Sequence, residues 1–223
     1  MNKTRITGSL MLMLMSTTMM AQNVEFTDHQ ENIVYPNQTD TTRLQKKYKE
    51  IEFPTPNYDE EKTNDVQGVI LHHTAEPTAK RSLEILTSPI RKVSTHAVID
   101  TDGTRYILAE PTVVTYHAGY STLNGRDACN EFTIGIEFQG NTLVEPLTEA
   151  QIESAIEYLK PIIAKYHIPL TNIVTHEMVR KNYKRKYPNK RVSGKVDITQ
   201  QEYSRFMEAI SKHIKPSDTE ITE

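Results

Sequence analysis

The chain has 223 residues, of which 37% are hydrophobic and 25% charged, with no tryptophan and one cysteine. That length and mixture suit one sizeable core with extensions and exclude a globally disordered or fibrous chain. A formal charge of −3 gives no overall case for nucleic-acid binding, and Cys129, being alone, rules out an internal disulfide.

Residues 1–21 carry Lys3 and Arg5, then a Met- and Leu-rich run from Leu10 to Met20, then Ala21. This is the charged, apolar and small-residue order of a secretory signal peptide, expected to be cut after Ala21. Its apolar run is too short and too interrupted by Ser16, Thr17 and Thr18 to span a bilayer. No cysteine follows it to carry a lipid. Loss of Lys3 and Arg5 takes the formal charge from −3 to −5, and leaves an exported chain without a stable membrane span.

Residues 22–65 are polar, hold prolines at 36, 54 and 56, and lack sustained periodicity. They read as an N-terminal extension or linker with at most one short helix, or as an arm wrapped over the domain through Phe26, Tyr35, Tyr48, Ile51 and Phe53. The domain proper is expected at 66–215, with a loose tail at 216–223.

Val69-Ile-Leu-His-His-Thr-Ala75 is a short apolar run between Gly68 and Pro77, read as a buried strand that ends on two imidazoles. A strand end fixes a ligand's direction, and neutral imidazole is the commonest zinc ligand. Adjacent strand residues face opposite sides, so only one of His72 and His73 can aim at a shared metal. Thr78 to Lys92 reads as a helix disturbed at Pro89. Val93 to Asp100, a Thr-Asp-Gly turn and Thr104 to Leu108 read as a hairpin carrying His96, a structural or pocket-wall histidine.

Tyr116-His117-Ala-Gly119 leads into a polar loop, where His117 reads equally as a hydrogen-bonded loop residue or a substrate contact. Cys129 reads as a semi-buried apolar residue. Phe132 to Phe138 is a second apolar strand with Glu137 inside it, where burial would raise the carboxyl pKa toward general-base use. Thr148 to Tyr166 is the clearest helix, opened by a Thr148/Gln151 capping box and expected to be kinked or interrupted at Pro161. Ile173-Val-Thr-His176 is a third strand ending on histidine, and a last helix starts at Thr199 and stops before Pro216. Between them lies Lys181 to Arg191, with six basic residues among aromatics, read as a solvated loop or a mobile flap.

Strands alternating with helices around one hairpin give an α/β fold class, a single domain with a central mixed β-sheet flanked by α-helices. The motifs Ile70-Leu-His-His-Thr-Ala75, Val93-Ser-Thr-His-Ala-Val-Ile-Asp100, Tyr116-His-Ala-Gly119, Ile134-Gly-Ile-Glu137, Ile173-Val-Thr-His176 and Lys195-Val-Asp197 occur in one order across residues 66 to 212. In this the chain resembles the zinc-dependent N-acetylmuramoyl-L-alanine amidases of the type 2 class, which share a fold with phage T7 lysozyme and the peptidoglycan recognition proteins. Tyr116 departs from the family's usual Trp-His-Ala-Gly, and Ile198-Thr199 from its usual Pro-Gly-Pro after the aspartate.

The resemblance implies a zinc held by His72, His176 and Asp197, with Glu137 as general base and Lys195 as a cation for the developing oxyanion. It implies a substrate groove that includes Tyr116 and His117, with His96 at its wall, taking peptidoglycan or muropeptides in a monomeric, periplasmic or secreted enzyme. The alternative within the same fold is a peptidoglycan-binding module without catalysis, which typically lacks a complete metal site. No His-Glu-x-x-His helix is present, so the common metalloprotease arrangement is absent.

Overall fold

The computed structural model describes residues 46–192, 194 and 197–219; the expected signal peptide and Lys195 lie outside the described residues. Three apolar runs form the middle of a six-stranded sheet: β3 (Gly68–His73), β9 (Thr133–Phe138) and β10 (Ile173–Thr175). With β1 (Glu50–Glu52), β4 (Ala97–Ile99) and β5 (Arg105–Ile107), the sheet order is β1-β5-β4-β9-β3-β10. Only the β4–β5 hairpin is antiparallel, so the sheet is mixed, as expected. Two small antiparallel pairs join β2 (Tyr58–Thr63) to β6 (Val113–Thr115), and β7 (Thr122–Leu123) to β8 (Arg126–Asp127).

Alternation along the central strands sorts the side chains onto two faces. One face presents Val69, Leu71, Ala97, Ile99, Ile134, Ile136 and Phe138 to α2 (Glu149–Tyr166) and α4 (Gln200–Ser211), where Ile152, Leu159, Ile163, Phe206 and Ile210 close the main core. The opposite face carries Ile70 and Val98 beside His72 and Glu137, covered by α1 (Ala79–Leu86) and α3 (His176–Lys186). A sheet covered on both faces explains the near-continuous apolar strands.

Local chemistry accounts for the helix ends. Thr148 and Gln151 form the expected capping box, and Thr78, Thr175 and Thr199 each accept a backbone N–H at the start of their helices. α1 stops at Leu86 rather than near Lys92, because Pro89 removes a donor and restricts Ser88 before it. α2 runs through Pro161 without interruption. The proline forfeits one helical bond, which the burial of Leu159, Ile162 and Ile163 around it outweighs.

One stretch takes the second of the two forms left open for it, and another differs from its expected form. Residues 50–63 join the sheets: β1 pairs with β5 and β2 with β6, and buried Arg105 ties β1 to α2 through Glu50 (3.1 Å) and Glu157 (2.9 Å). The first half of the basic insert is the end of α3 and not a loop. Val179 and Tyr183, four residues apart, bury one side of it. Tyr183 stacks on Tyr120 at 5.3 Å, and Lys186 Nζ (3.0 Å) and Tyr187 OH (2.7 Å) hold Asp127, which ties the end of α3 to the β7–β8 hairpin.

Candidate metal centre

The strand ends bring the centre together. β3 delivers His72 on the face it shares with Glu137, its register partner on β9, and β10 runs directly into α3, whose first residue is His176. Asp197 arrives from the approach to α4 and is fully buried. One ligand atom from each of His72, His176 and Asp197 lies within 4.8 Å of the others. His73 points to the opposite face and takes no part in this cluster.

Hydrogen bonds determine which ring nitrogens face the centre. His176 Nε2 lies 3.2 Å from the Ala118 carbonyl, which can only accept, so the ring proton sits on Nε2 and the Nδ1 lone pair is left toward Asp197 Oδ2 at 2.8 Å. A lone pair facing a carboxylate is unfavourable unless a cation neutralises the contact. His72 Nδ1 is also 3.8 Å from the other carboxylate oxygen, and two imidazoles converging on one buried carboxylate fit a metal. Two nitrogens and one oxygen, open on one side to a cavity, match the donor set of a catalytic zinc.

The cavity holds about 430 Å³, and its lining includes His72, Glu137 and His176 together with Ile85, Leu86, Arg91, Val93 and Tyr116. Glu137 is 8% exposed. His117 also lines the cavity, and its Nδ1 lies 3.2 Å from His72 Nε2. Burial first, and then the neighbouring imidazoles His72, His96 and His176, hold His117 well below the usual histidine pKa, so it stays neutral. A neutral ring accepting from His72 Nε2–H leaves His72 Nδ1 for the metal.

His96, expected at the groove, is wholly buried and does not line the cavity. It accepts from Gly135 N–H at 3.0 Å and from Thr115 Oγ1 at 3.1 Å, donates from Nε2 to the Val113 carbonyl at 2.9 Å, and backs the His117 ring edge-on. Burial lowers its pKa to about 4. Cys129 is fully buried, and burial raises its thiol pKa to about 11, which leaves it no nucleophilic role at neutral pH.

Residues that sequence reasoning passed over hold this arrangement. A Cβ on Gly135 would sit 2.6 Å from His117 Cγ, so only glycine lets that ring lie across β9; its place inside an apolar strand was the available signal. Asn130 Oδ1 accepts from His117 N–H (3.1 Å) and Ala118 N–H (2.8 Å), fixing the carbonyl that orients His176. Asn57 Nδ2 reaches the carbonyls of Leu86, Ser88 and Val93, tying the cavity wall together. Neither asparagine carries a local sequence signal for a partner so far along the chain.

Residues 62–190 match the family profile for N-acetylmuramoyl-L-alanine amidase, more than half of the chain. The chain belongs to this family. Among curated amidases it is 31% identical over 126 residues to AmiD of Escherichia coli K12, covering 50% of this chain and 45% of that protein. It is 41% identical over 61 residues to the 1,6-anhydro-N-acetylmuramyl-L-alanine amidase AmpD of Enterobacter cloacae, covering 27% of this chain and 32% of that one. The chain thus spans less than half the length of these relatives. In fold it is similar to a selenomethionine derivative of AmpD, with a TM-score of 0.53 at 20% identity over 71% of this chain and 94% of that one. It is likewise similar to the catalytic domain of XlyA, at 0.51 and 20% over 72% and 98%. The family match ends at residue 190, and Asp197 lies beyond it, beside the two histidines in the fold.

Proposed function

We propose that this amidase is a zinc enzyme hydrolysing the amide between the lactyl group of N-acetylmuramic acid and L-alanine of the stem peptide. The observation that carries the reading is the convergence of His72, His176 and Asp197, the two histidines lining a cavity that Glu137 also lines. Zinc, when bound, polarises the amide carbonyl and lowers the pKa of water to about 7. Glu137 takes the proton from the attacking water and returns one to the leaving amine. His117 holds the His72 tautomer, and Tyr116 offers a flat apolar face with a hydroxyl to the sugar or the peptide. The family resemblance gives Lys195 the role of steadying the oxyanion. Residues 1–21 support export to the periplasm or beyond, where peptidoglycan or its fragments are the partner. Among the described residues no helix is long and apolar enough to cross a membrane.

The test is zinc content and muropeptide cleavage for the mature protein and for Asp197→Ala and Glu137→Gln. The reading expects about one zinc per wild-type chain, loss of metal with Asp197→Ala, and metal retained with kcat down about 10²–10⁴-fold for Glu137→Gln. A wild-type chain that binds muropeptides but holds no zinc and releases no stem peptide would make this a recognition module instead.

A further inference from the structure

The second histidine of the His72-His73 pair is buried, 1% exposed, on the sheet face turned away from the cavity. Its Nδ1 lies 3.1 Å from the backbone N–H of Thr142 and 2.9 Å from Thr142 Oγ1. A backbone N–H can only donate, so Nδ1 is an acceptor and the ring proton is on Nε2. The Thr142 hydroxyl therefore donates to His73, and its oxygen is left to accept. It accepts from the backbone N–H of Thr199 at 3.0 Å. Thr199 caps α4 and stands two residues after Asp197, with Ile198 between them buried in the main core.

We infer that His73 is a positioning residue for the metal centre, holding Asp197 in place through the Thr142 hydroxyl and the Thr199 N–H. One dipeptide at the end of β3 thus sends a ligand to one face of the sheet and, from the other face, restrains the loop that supplies another ligand. The register of β3 sets both at once, because successive residues diverge to opposite faces. A second thread runs in parallel, from Leu147 N–H to Glu202 Oε2 at 2.9 Å, so the loop after β9 grips the start of α4 at two points. Of the two, the His73 thread ends nearer to Asp197, at Thr199, two residues away. Amide-to-hydroxyl-to-imidazole chains of this kind fix a geometry because each member has one remaining role.

The inference rests on His72, His176 and Asp197 being the ligands, and its test separates the two. Zinc affinity is measured by competition with a chelating dye for wild type, Thr142→Val, His73→Leu, His73→Asn and the core control Ile156→Val. Amide hydrogen exchange at Thr199 is followed in the zinc-free proteins. Thr142→Val keeps the shape and the backbone N–H but removes the hydroxyl, and is expected to weaken zinc about tenfold and to speed Thr199 exchange. His73→Leu should do the same, while His73→Asn, which can return an acceptor to the Nδ1 position, should recover most of the affinity. Ile156→Val, a truncation away from the start of α4, should leave affinity within twofold. Wild type binding zinc with Thr142→Val equal to it, or Thr199 exchange unchanged by that variant, overturns the inference even if His73→Leu fails to fold. No zinc on wild type overturns the metal reading itself, and the inference with it.

Discussion

Asn57→Ala isolates what the segment before β3 does for the cavity. The Asn57 side chain is buried, 5% exposed, and its amide nitrogen lies 3.2, 2.9 and 3.0 Å from the carbonyls of Leu86, Ser88 and Val93. An amide NH₂ has two protons, so the three contacts amount to two full bonds with one shared. The Leu86 and Ser88 carbonyls keep other donors in Thr55 Oγ1 and Arg91 N–H, so the loss falls mainly on Val93. Two net bonds at about 1 kcal/mol each, plus partial desolvation of one carbonyl, give a loss of about 2–3 kcal/mol. Urea unfolding by linear extrapolation, with zinc held constant, measures it. Because Leu86 and Val93 line the cavity, KM for muropeptides should rise while zinc content stays the same. A loss below about 0.5 kcal/mol, the range of ordinary surface substitutions, together with an unchanged KM, would refute the account.

Gly135→Ala should lower both zinc affinity and kcat, since the added methyl meets His117 at 2.6 Å and Thr95 Oγ1 at 2.8 Å; chelator competition and muropeptide kinetics check this, and wild-type values in both would count against the close approach. Cys129, with its thiol pKa near 11 and no exposure, should alkylate at pH 8 at least about 100-fold more slowly in the native protein than in urea, where a free thiol has a pKa of about 8.5. His96 has a folded pKa of about 4 against an ordinary 6.5. The unfolded chain therefore binds the extra proton between those values, and stability falls as pH drops from 6.5 toward 4 by up to about 1.4 kcal/mol per pH unit. Chemical unfolding of zinc-free protein across that window should show a shallower acid slope for His96→Gln than for wild type, and equal slopes would remove His96 as the cause.

The paired strands and helix caps were open to direct reading. Val69 to Leu71, Phe132 to Phe138 and Ile173 to Thr175 announce themselves by apolar runs, and Thr148 with Gln151 by a capping box. Those are local features, and local propensity agreed with the tertiary outcome. The segment at 50–63 was not legible, because β1 is an edge strand only three residues long whose partner lies more than fifty residues away. The basic insert differs in its backbone and not in its exposure: its six basic residues are solvent-exposed, yet Val179 and Tyr183 on one side are enough to seat a helix.

The sequence by itself determined that His72 and Glu137 sit on apolar strands, that His176 directly follows another, and that the one cysteine cannot staple the fold. Their periodicity is a property of neighbouring residues and needs no distant partner. Only the tertiary structure decided that Asp197 meets the two histidines within 4.8 Å, that His96 is buried behind His117, and that His73 turns away to hold Thr142. Each of these depends on strand register and on hydrogen bonds between segments far apart in the chain, where a shift of one residue would send every side chain to the other face of the sheet.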